Sequence, residues 1–283
     1  KRGASLAVGN KSQKKFNHIK VKDTLKFLTE ASSILRENTQ SKIIAITGSC
    51  GKTSLKELVG KTLNKISKTT YSQKSFNNKF GVPLSLFNLK QKDEFGVFEI
   101  GMDKKGEIDY LSKIIKPDVG VITNIAYAHV ENFKNIKQIA LAKSEIIENI
   151  KDGGSIILNA DDQFHNFHKK IAQKKKLQIY SFSIKNKNCR VSLDFIKKIK
   201  LKYKVSINID NFKKYFYINS NFENDLKNLL AAVSIMSIFI DVQKLDNNIF
   251  YNHKTLNGRG DISRIKILKN FFYLVDESYN SNP

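Results

Sequence analysis

From residue 43 onward, short apolar runs alternate with longer stretches in which apolar residues recur at helical spacing. The runs at 43–47, 97–100, 119–123, 155–158 and 178–182 predict strands. The stretches around 55–66, 107–115, 136–150 and 164–173 predict the helices between them. Strands that alternate with helices imply right-handed crossovers and a mainly parallel sheet covered on both faces. Ligands of such sheets bind beyond the carboxyl ends of the strands, so candidate chemistry is sought there. After residue 182 the texture changes. Segments 190–210 and 213–219 alternate apolar and polar residues and predict antiparallel hairpins, 222–240 returns to a helix, and 262–268 with 271–276 predict a hairpin turning at Lys269-Asn270. Upstream, Leu25, Leu28, Ile34 and Leu35 predict a connecting helix over 21–36, with Asp23 and Thr24 as start signals and 38–41 as a linker. Residues 1–18 show no clear periodicity.

The first central strand ends in Thr47-Gly48-Ser49-Cys50-Gly51-Lys52-Thr53-Ser54, with a helix-compatible segment from Leu55. Strand, glycine loop, Lys-Thr and helix is the layout of a phosphate-binding loop. Glycines let the backbone curl so that several N–H groups face one anion, and the helix adds the positive end of its dipole. Lys52 can reach the β/γ-phosphates and the Thr53 hydroxyl can ligate Mg²⁺. The loop is shorter than the usual G-x-x-x-x-G-K pattern, with only Ser49 and Cys50 between Gly48 and Gly51. The expected fold is therefore α/β of P-loop type: a mainly parallel sheet with helices on both faces, plus a smaller antiparallel β portion.

Other strand ends add chemistry. Glu99 lies inside the apolar strand Phe98-Glu99-Ile100, where an acid is costly without a partner. It can face the phosphate loop and bind a metal, or face solvent from an edge strand. His129 follows the strand at 119–123, and with Glu99 and Thr53 would make a mixed O/N site better suited to Mg²⁺ or Mn²⁺ than to zinc. Lys143 lies in the next helix, where a solvated lysine is the plain alternative. Asn77 and Asn78 open a loop dense in amides, able to bind polar ligands or simply to turn.

Composition narrows the class. The 283 residues are 41% hydrophobic, enough for a real core in one large domain or about two. Cys50 and Cys189 form neither a disulfide framework nor a metal spacing. The balance of 49 Lys+Arg against 26 Asp+Glu gives +23, but the lysines are spread along the chain. That favours a lysine-rich bias with anionic small substrates over a specific nucleic-acid track. No apolar run reaches membrane-spanning length and residues 1–20 lack a signal-peptide centre, so a cytoplasmic protein without membrane insertion is expected.

Together these segments resemble the Mur ligase family, ATP-dependent amide-forming enzymes of peptidoglycan precursor synthesis. Residues 47–54 are similar to the family's shortened phosphate loop, and Thr123-Asn124-Ile125 with His129 to its metal-histidine segment. Ala142-Lys143 is similar to the segment whose lysine is carbamylated in several members. Asn159-Ala160-Asp161-Asp162 is similar to another shared element, and Asn228-Leu229-Leu230-Ala231-Ala232 to the helix start where an asparagine contacts adenine. Four segments most resemble the members that add D-alanyl-D-alanine to UDP-N-acetylmuramoyl-tripeptide. They are Asn77-Asn78 with Gly81-Val82-Pro83, Glu99-Ile100-Gly101 with Gly106-Glu107-Ile108, Gly258-Arg259-Gly260, and the segment running from Asp276 to Pro283. Departures are Asn224 in place of a histidine, Glu277 in place of an aspartate and Ser281 in place of an alanine.

The resemblance implies a ligase that phosphorylates the tripeptide carboxylate with ATP and lets the amine of D-Ala-D-Ala attack the acyl phosphate. It implies that Lys52 and the amides of Gly48, Ser49, Cys50, Gly51, Thr53 and Ser54 cradle phosphate. Thr53 and Glu99 would hold one Mg²⁺, His129 a second beside a carbamylated Lys143, and Asn228 would contact adenine. Asn77, Asn78 and Arg259 would serve substrate or domain coupling. Residues 1–40 are expected to be the end of a UDP-substrate domain and a linker helix, and 41–283 the central ATP-binding domain. The family's C-terminal domain is expected to lie outside this chain, which is expected to be monomeric and inactive alone. The alternatives are another amide ligase of the superfamily, or a non-catalytic module that binds nucleotide or nucleic acid.

Overall fold

The computed structural model describes residues 3, 5–11, 17–127, 131–251, 253, 258, 261–268, 270–276 and 278. In chain order the elements are β1 (Ala7–Gly9), β2 (His18–Lys20), α1 (Thr24–Glu37), β3 (Lys42–Thr47), α2 (Lys52–Leu63), β4 (Thr69–Tyr71), α3 (Gly81–Leu86) and β5 (Phe95–Glu99). They continue with α4 (Glu107–Ile115), β6 (Val119–Ile122), α5 (Ile136–Glu148), β7 (Ser155–Asn159), α6 (His165–Lys174) and β8 (Gln178–Ser183). The last are β9 (Val191–Ile199), β10 (Lys202–Ile209), β11 (Phe212–Ile218), α7 (Glu223–Phe239), a single 3₁₀ turn (Val242–Lys244), β12 (Asp261–Ile267) and β13 (Asn270–Asp276).

The five strands expected to be parallel are β3, β5, β6, β7 and β8, and they lie side by side in a nine-stranded sheet of order β11-β10-β9-β8-β7-β6-β3-β5-β4. Every pair from β4 through β9 is parallel. The register sets Ile46 opposite both Glu99 and Val121, and Thr47 opposite Ile122. The carboxyl ends of β3, β5 and β6 therefore finish at one level, which is the geometric origin of the site.

The expected smaller antiparallel portion is present as β9, β10 and β11, and it joins the parallel strands: β9 pairs parallel with the end of β8 through Phe182–Val191 and Ser183–Ser192, and β10 and β11 extend the same sheet. Alternation identifies a strand but not the edge it joins. The only separate antiparallel pair among the described residues is β12–β13. Its turn comes earlier than Lys269-Asn270, because Asn270 already pairs with Ile267 and Leu268 takes φ 57°. Helix α2 starts at Lys52, not 55, and ends at Leu63, after which Lys65 and Ile66 bond back only three residues, to Thr62 and Leu63. β1, β2, β4 and α3 carried too few residues to show a period.

Two cores flank the sheet. One is built from α2 and α7, with Leu55, Val59, Leu63, Leu230, Val233 and Met236 against Ile44, Val97 and Val121. The other packs α4 and α5, through Ile108, Ile115, Ile139 and Ile146, against Ile43, Phe98 and Ile156. Each such side chain withdrawn from water contributes about 2 kcal/mol. Among the described residues no helix is long and apolar enough to cross a membrane.

Helix α1 is capped by Asp23, whose carboxylate accepts from Leu25 N and Lys26 N. Its last turn is fixed by a buried arginine. Arg36 donates to the carbonyls of Ile115 (2.7 Å) and Lys116 (2.9 Å) and to Asp118 (3.2 Å), while Asp118 also accepts from Ile43 N at the start of β3. One guanidinium thus joins the connecting helix, the end of α4 and the first central strand. Arg36→Ala should lower unfolding free energy by about 3 kcal/mol, because it strands two carbonyls and weakens a buried ion pair; urea denaturation measures it.

Candidate active site

The β3–α2 loop is held so closely that one position excludes any side chain. Gly48 has φ 147°, and a Cβ there would fall 1.9 Å from Thr123 Oγ1. That hydroxyl donates to Cys50 O (2.6 Å), so it has its own task. Ser49 N donates to Asn124 O and Cys50 N to Asn124 Oδ1 (2.8 Å), while Ser49 Oγ both donates to Ala126 O and accepts from Ala126 N. The 123–126 segment is braced from behind by Asn159, which donates to Thr123 O, and by Asp162, which accepts from Ile125 N. The asparagine and aspartate of the Asn159-to-Asp162 motif thus act as scaffold.

This clamp corrects one expectation. The amides of Ser49 and Cys50 donate to Asn124, which leaves the start of α2 as the candidate anion seat. There Gly51 turns in with φ 81°, and first-turn amides have no acceptor within the helix. Ser49, Cys50, Gly51, Lys52, Thr53 and Ser54 line one wall of a cleft of about 1340 Å³, which Asn77, Asn78, Glu99 and Asn228 also line. Gly48 lies behind that wall. Lys52 Nζ folds onto its own loop, donating to the carbonyls of Gly48 (2.8 Å) and Ser49 (3.1 Å).

Glu99 ends β5, which lies between β3 and β4, so the edge-strand alternative falls. The residue is 1% exposed. Its Oε1 accepts from Asn77 Nδ2 (2.7 Å), whereas its Oε2 is buried without a hydrogen-bond partner. A desolvated carboxylate oxygen left this way is costly, and a cation is the partner that relieves the cost. Thr53 Oγ1 lies 3.5 Å from Ser75 Oγ, a residue the sequence pattern did not single out. Asn78 is partly committed elsewhere: its Oδ1 accepts from Phe80 N and Gly81 N and caps α3.

Lys143 is not a solvated helix lysine. It is 1% exposed and donates to Gly48 O (2.9 Å), the carbonyl that Lys52 also uses. Burial first, and the nearby Lys52 charge second, hold its pKa well below the ordinary lysine value, the Cys50 thiol opposing. Burial and the Lys52 charge thus favour the neutral amine over the ammonium directly beneath the loop. Asn228, on α7, comes close from the opposite side, its Oδ1 3.2 Å from where a Gly51 Cβ would stand. Asp225, also on the cleft wall and not anticipated, has its pKa raised by burial, a Ser220 hydrogen bond opposing. His129 and Arg259 lie outside the described residues. Among the described residues no three His, Cys, Asp or Glu side chains cluster as a ready-made metal cage.

Residues 46–236 match the Mur ligase middle domain. The chain belongs to the Mur ligase family. The cleft residues Ser49 to Ser54, Asn77, Glu99 and Asn228, and Gly48 and Lys143 beside them, all fall inside that match. This Mur ligase chain is 32% identical over 263 residues to the UDP-N-acetylmuramoyl-tripeptide–D-alanyl-D-alanine ligase of Buchnera aphidicola subsp. Baizongia pistaciae, covering 93% of this chain and 56% of that protein. The Escherichia coli ligase of the same name is 28% identical over 264 residues, covering 93% and 57%. A solved MurF structure from Acinetobacter baumannii is similar with 28% identity and TM-score 0.83, over 98% of this chain and 59% of that one. The chain spans about half the length of the curated relatives it matches.

Gly48→Ala should lower stability by about 3 kcal/mol, since the new methyl meets Thr123 Oγ1 and must break the clamp. Adding Thr123→Ala should recover part of that loss by removing the obstructing hydroxyl. Chemical denaturation of the two variants and the double variant gives the coupling.

Proposed function

We propose that this chain is the ATP-binding part of a ligase that joins D-Ala-D-Ala to UDP-N-acetylmuramoyl-tripeptide through an acyl phosphate. The observation that carries this reading is the buried, unpartnered Glu99 Oε2 on the cleft that the Ser49–Ser54 segment, Thr53 included, also lines. The physical problem is bringing an anionic carboxylate to an anionic γ-phosphate. The α2 amides and Lys52 bind the phosphates, with Lys52 leaving the Gly48 and Ser49 carbonyls to do so. Thr53 and Glu99 would hold Mg²⁺, or Mn²⁺, which supplies charge neutralisation where the phosphoryl group transfers. His129 would serve a second ion.

A carboxylate oxygen of the tripeptide attacks the γ-phosphorus and ADP departs. The amine of D-Ala-D-Ala then attacks the acyl carbon, phosphate departs, and the amine sheds a proton. Burial lowers the Lys143 pKa and so favours the lone pair that carbamylation by CO₂ requires; the new N–C bond would form with release of a proton and would place an anion under the loop in place of a latent cation. Asn228 would contact adenine. The names of the relatives support this substrate pair over other amide ligases of the superfamily.

The test is phosphate release by the intact gene product with ATP, Mg²⁺ and UDP-N-acetylmuramoyl-tripeptide, with and without D-Ala-D-Ala. Release should depend on the dipeptide. Lys52→Ala should cut turnover by about 100-fold or more while leaving the fold intact. Glu99→Gln should raise the Mg²⁺ concentration needed for half-maximal rate by about tenfold. Release independent of the dipeptide, or unchanged turnover in Lys52→Ala, overturns the reading.

A further inference from the structure

Helix α2 carries a second lysine that the sequence pattern does not distinguish from a surface residue. Lys56 lies one turn beyond Thr53 and is fully buried. Its ammonium donates to Ser72 O (2.7 Å), Lys74 O (2.9 Å) and Glu57 Oε1 (2.6 Å), so each of its three N–H groups has an acceptor. The two carbonyls lie on either side of Gln73, just where the chain leaves β4 and bends, with Lys74 at φ 47°. Glu57 is held in turn by Lys61 at 3.1 Å.

The gripped segment carries the contacts of the cleft. Ser72 is tied to β5 twice, its N donating to Val97 O and its Oγ accepting from Glu99 N (3.2 Å). Ser75 Oγ stands against Thr53 Oγ1. Asn77 donates from Nδ2 to Glu99 Oε1 and accepts from Gly101 N (2.8 Å) at its carbonyl. The Asn77 bond occupies one oxygen of Glu99 and so decides which oxygen is left for a cation. A volume-matched apolar side chain at 56 would fill the same space and hold neither carbonyl. Replacing a buried ion by an apolar group of similar size is often neutral for stability, so this arrangement is not needed merely to keep the helix packed.

We propose that Lys56 is a positioning residue for the divalent-cation site: it ties the 72–77 segment to the phosphate-loop helix and thereby sets Ser75 against Thr53 and Asn77 against Glu99. The inference rests on the reading of this cleft as a nucleotide–metal site. Lys56 itself touches neither nucleotide nor metal.

The experiment compares the wild-type chain with Lys56→Met. Mn²⁺ is titrated in the presence of ADP, with free Mn²⁺ read by electron paramagnetic resonance; ADP is titrated separately in EDTA; and amide hydrogen exchange is followed at 75–77 and Gly101. Lys56→Met should weaken Mn²⁺ binding by about tenfold or more, leave ADP affinity in EDTA unchanged, and speed exchange at those amides. An unchanged Mn²⁺ constant, or an equal loss of ADP affinity without metal, overturns the proposal. If Lys56→Met does not fold, Lys56→Gln is measured in the same way, and failure of both to fold makes Lys56 a determinant of the fold and also overturns it. A wild-type chain that takes up no Mn²⁺ with ADP refutes the functional reading instead; the exchange comparison then still decides whether Lys56 holds the segment.

Discussion

At the end of β3 the backbone passes Thr123 with no space between them for a methyl group, and the consequences spread from there. Because Gly48 lies against the end of β6, the loop can be closed by Asn124, Thr123 and Ala126 instead of by its own residues. Because those partners belong to β6 and its extension, the loop inherits the rigidity of the sheet. The price is two amides that would otherwise face the ligand. In the proposed reading the anion seat is the first turn of α2, where N–H groups without an intrahelical acceptor are a property of any helix. Preorganisation is thus achieved by fixing the entry to the helix, not by wrapping the loop around an anion.

The Gly48 carbonyl is also where the electrostatics of the cleft meet. Two lysine amines share it, one from α2 and one from α5. Burial first and the neighbouring Lys52 charge second make the Lys143 ammonium easier to deprotonate than an ordinary lysine. The overall charge of +23 is irrelevant to this balance. Much of it lies elsewhere, as where Lys202 and Lys204 lie over the rings of Tyr217 and Tyr215 on the antiparallel strands. What matters locally is burial, which lowers the Lys143 pKa and raises that of Asp225.

The parallel strands, the phosphate loop and the carboxylate at the end of β5 were legible because each is written in contiguous residues: an apolar run, a glycine spacing, an acid where an apolar residue belongs. The participation of Ser75, Lys56 and Asn124 was not. Lys56-Glu57 looks like a solvated pair on a helix face, and its burial follows only from β4 and the following bend closing over α2. Lys143 looked equally ordinary as a sequence, and only the family resemblance drew attention to it. In both cases the information is non-local. The residue is polar because its neighbours in space are backbone carbonyls, and no period along one helix reports what another segment exposes to it. The edge that the antiparallel strands join was hidden for the same cause, since alternation describes the two faces of a strand and is silent about its neighbours.

The way the proposed cation site is furnished follows from these constraints. A resident metal would call for a cage of several charged ligands, and the described residues offer Glu99, with the Thr53 hydroxyl on the same cleft. One carboxylate oxygen relieves its own desolvation by binding a cation, but it cannot satisfy an octahedral Mg²⁺, which keeps waters and takes phosphate oxygens when they are present. Such a site is complete only when nucleotide occupies the α2 terminus. The protein then has less to gain from more ligands than from placing the few it has. That is why the bonds around Glu99 are backbone-anchored on every side: Ser72 Oγ to its own amide, Asn77 to its Oε1, and Lys56 behind both. Where a ligand set is sparse, precision has to come from the residues that never reach the metal.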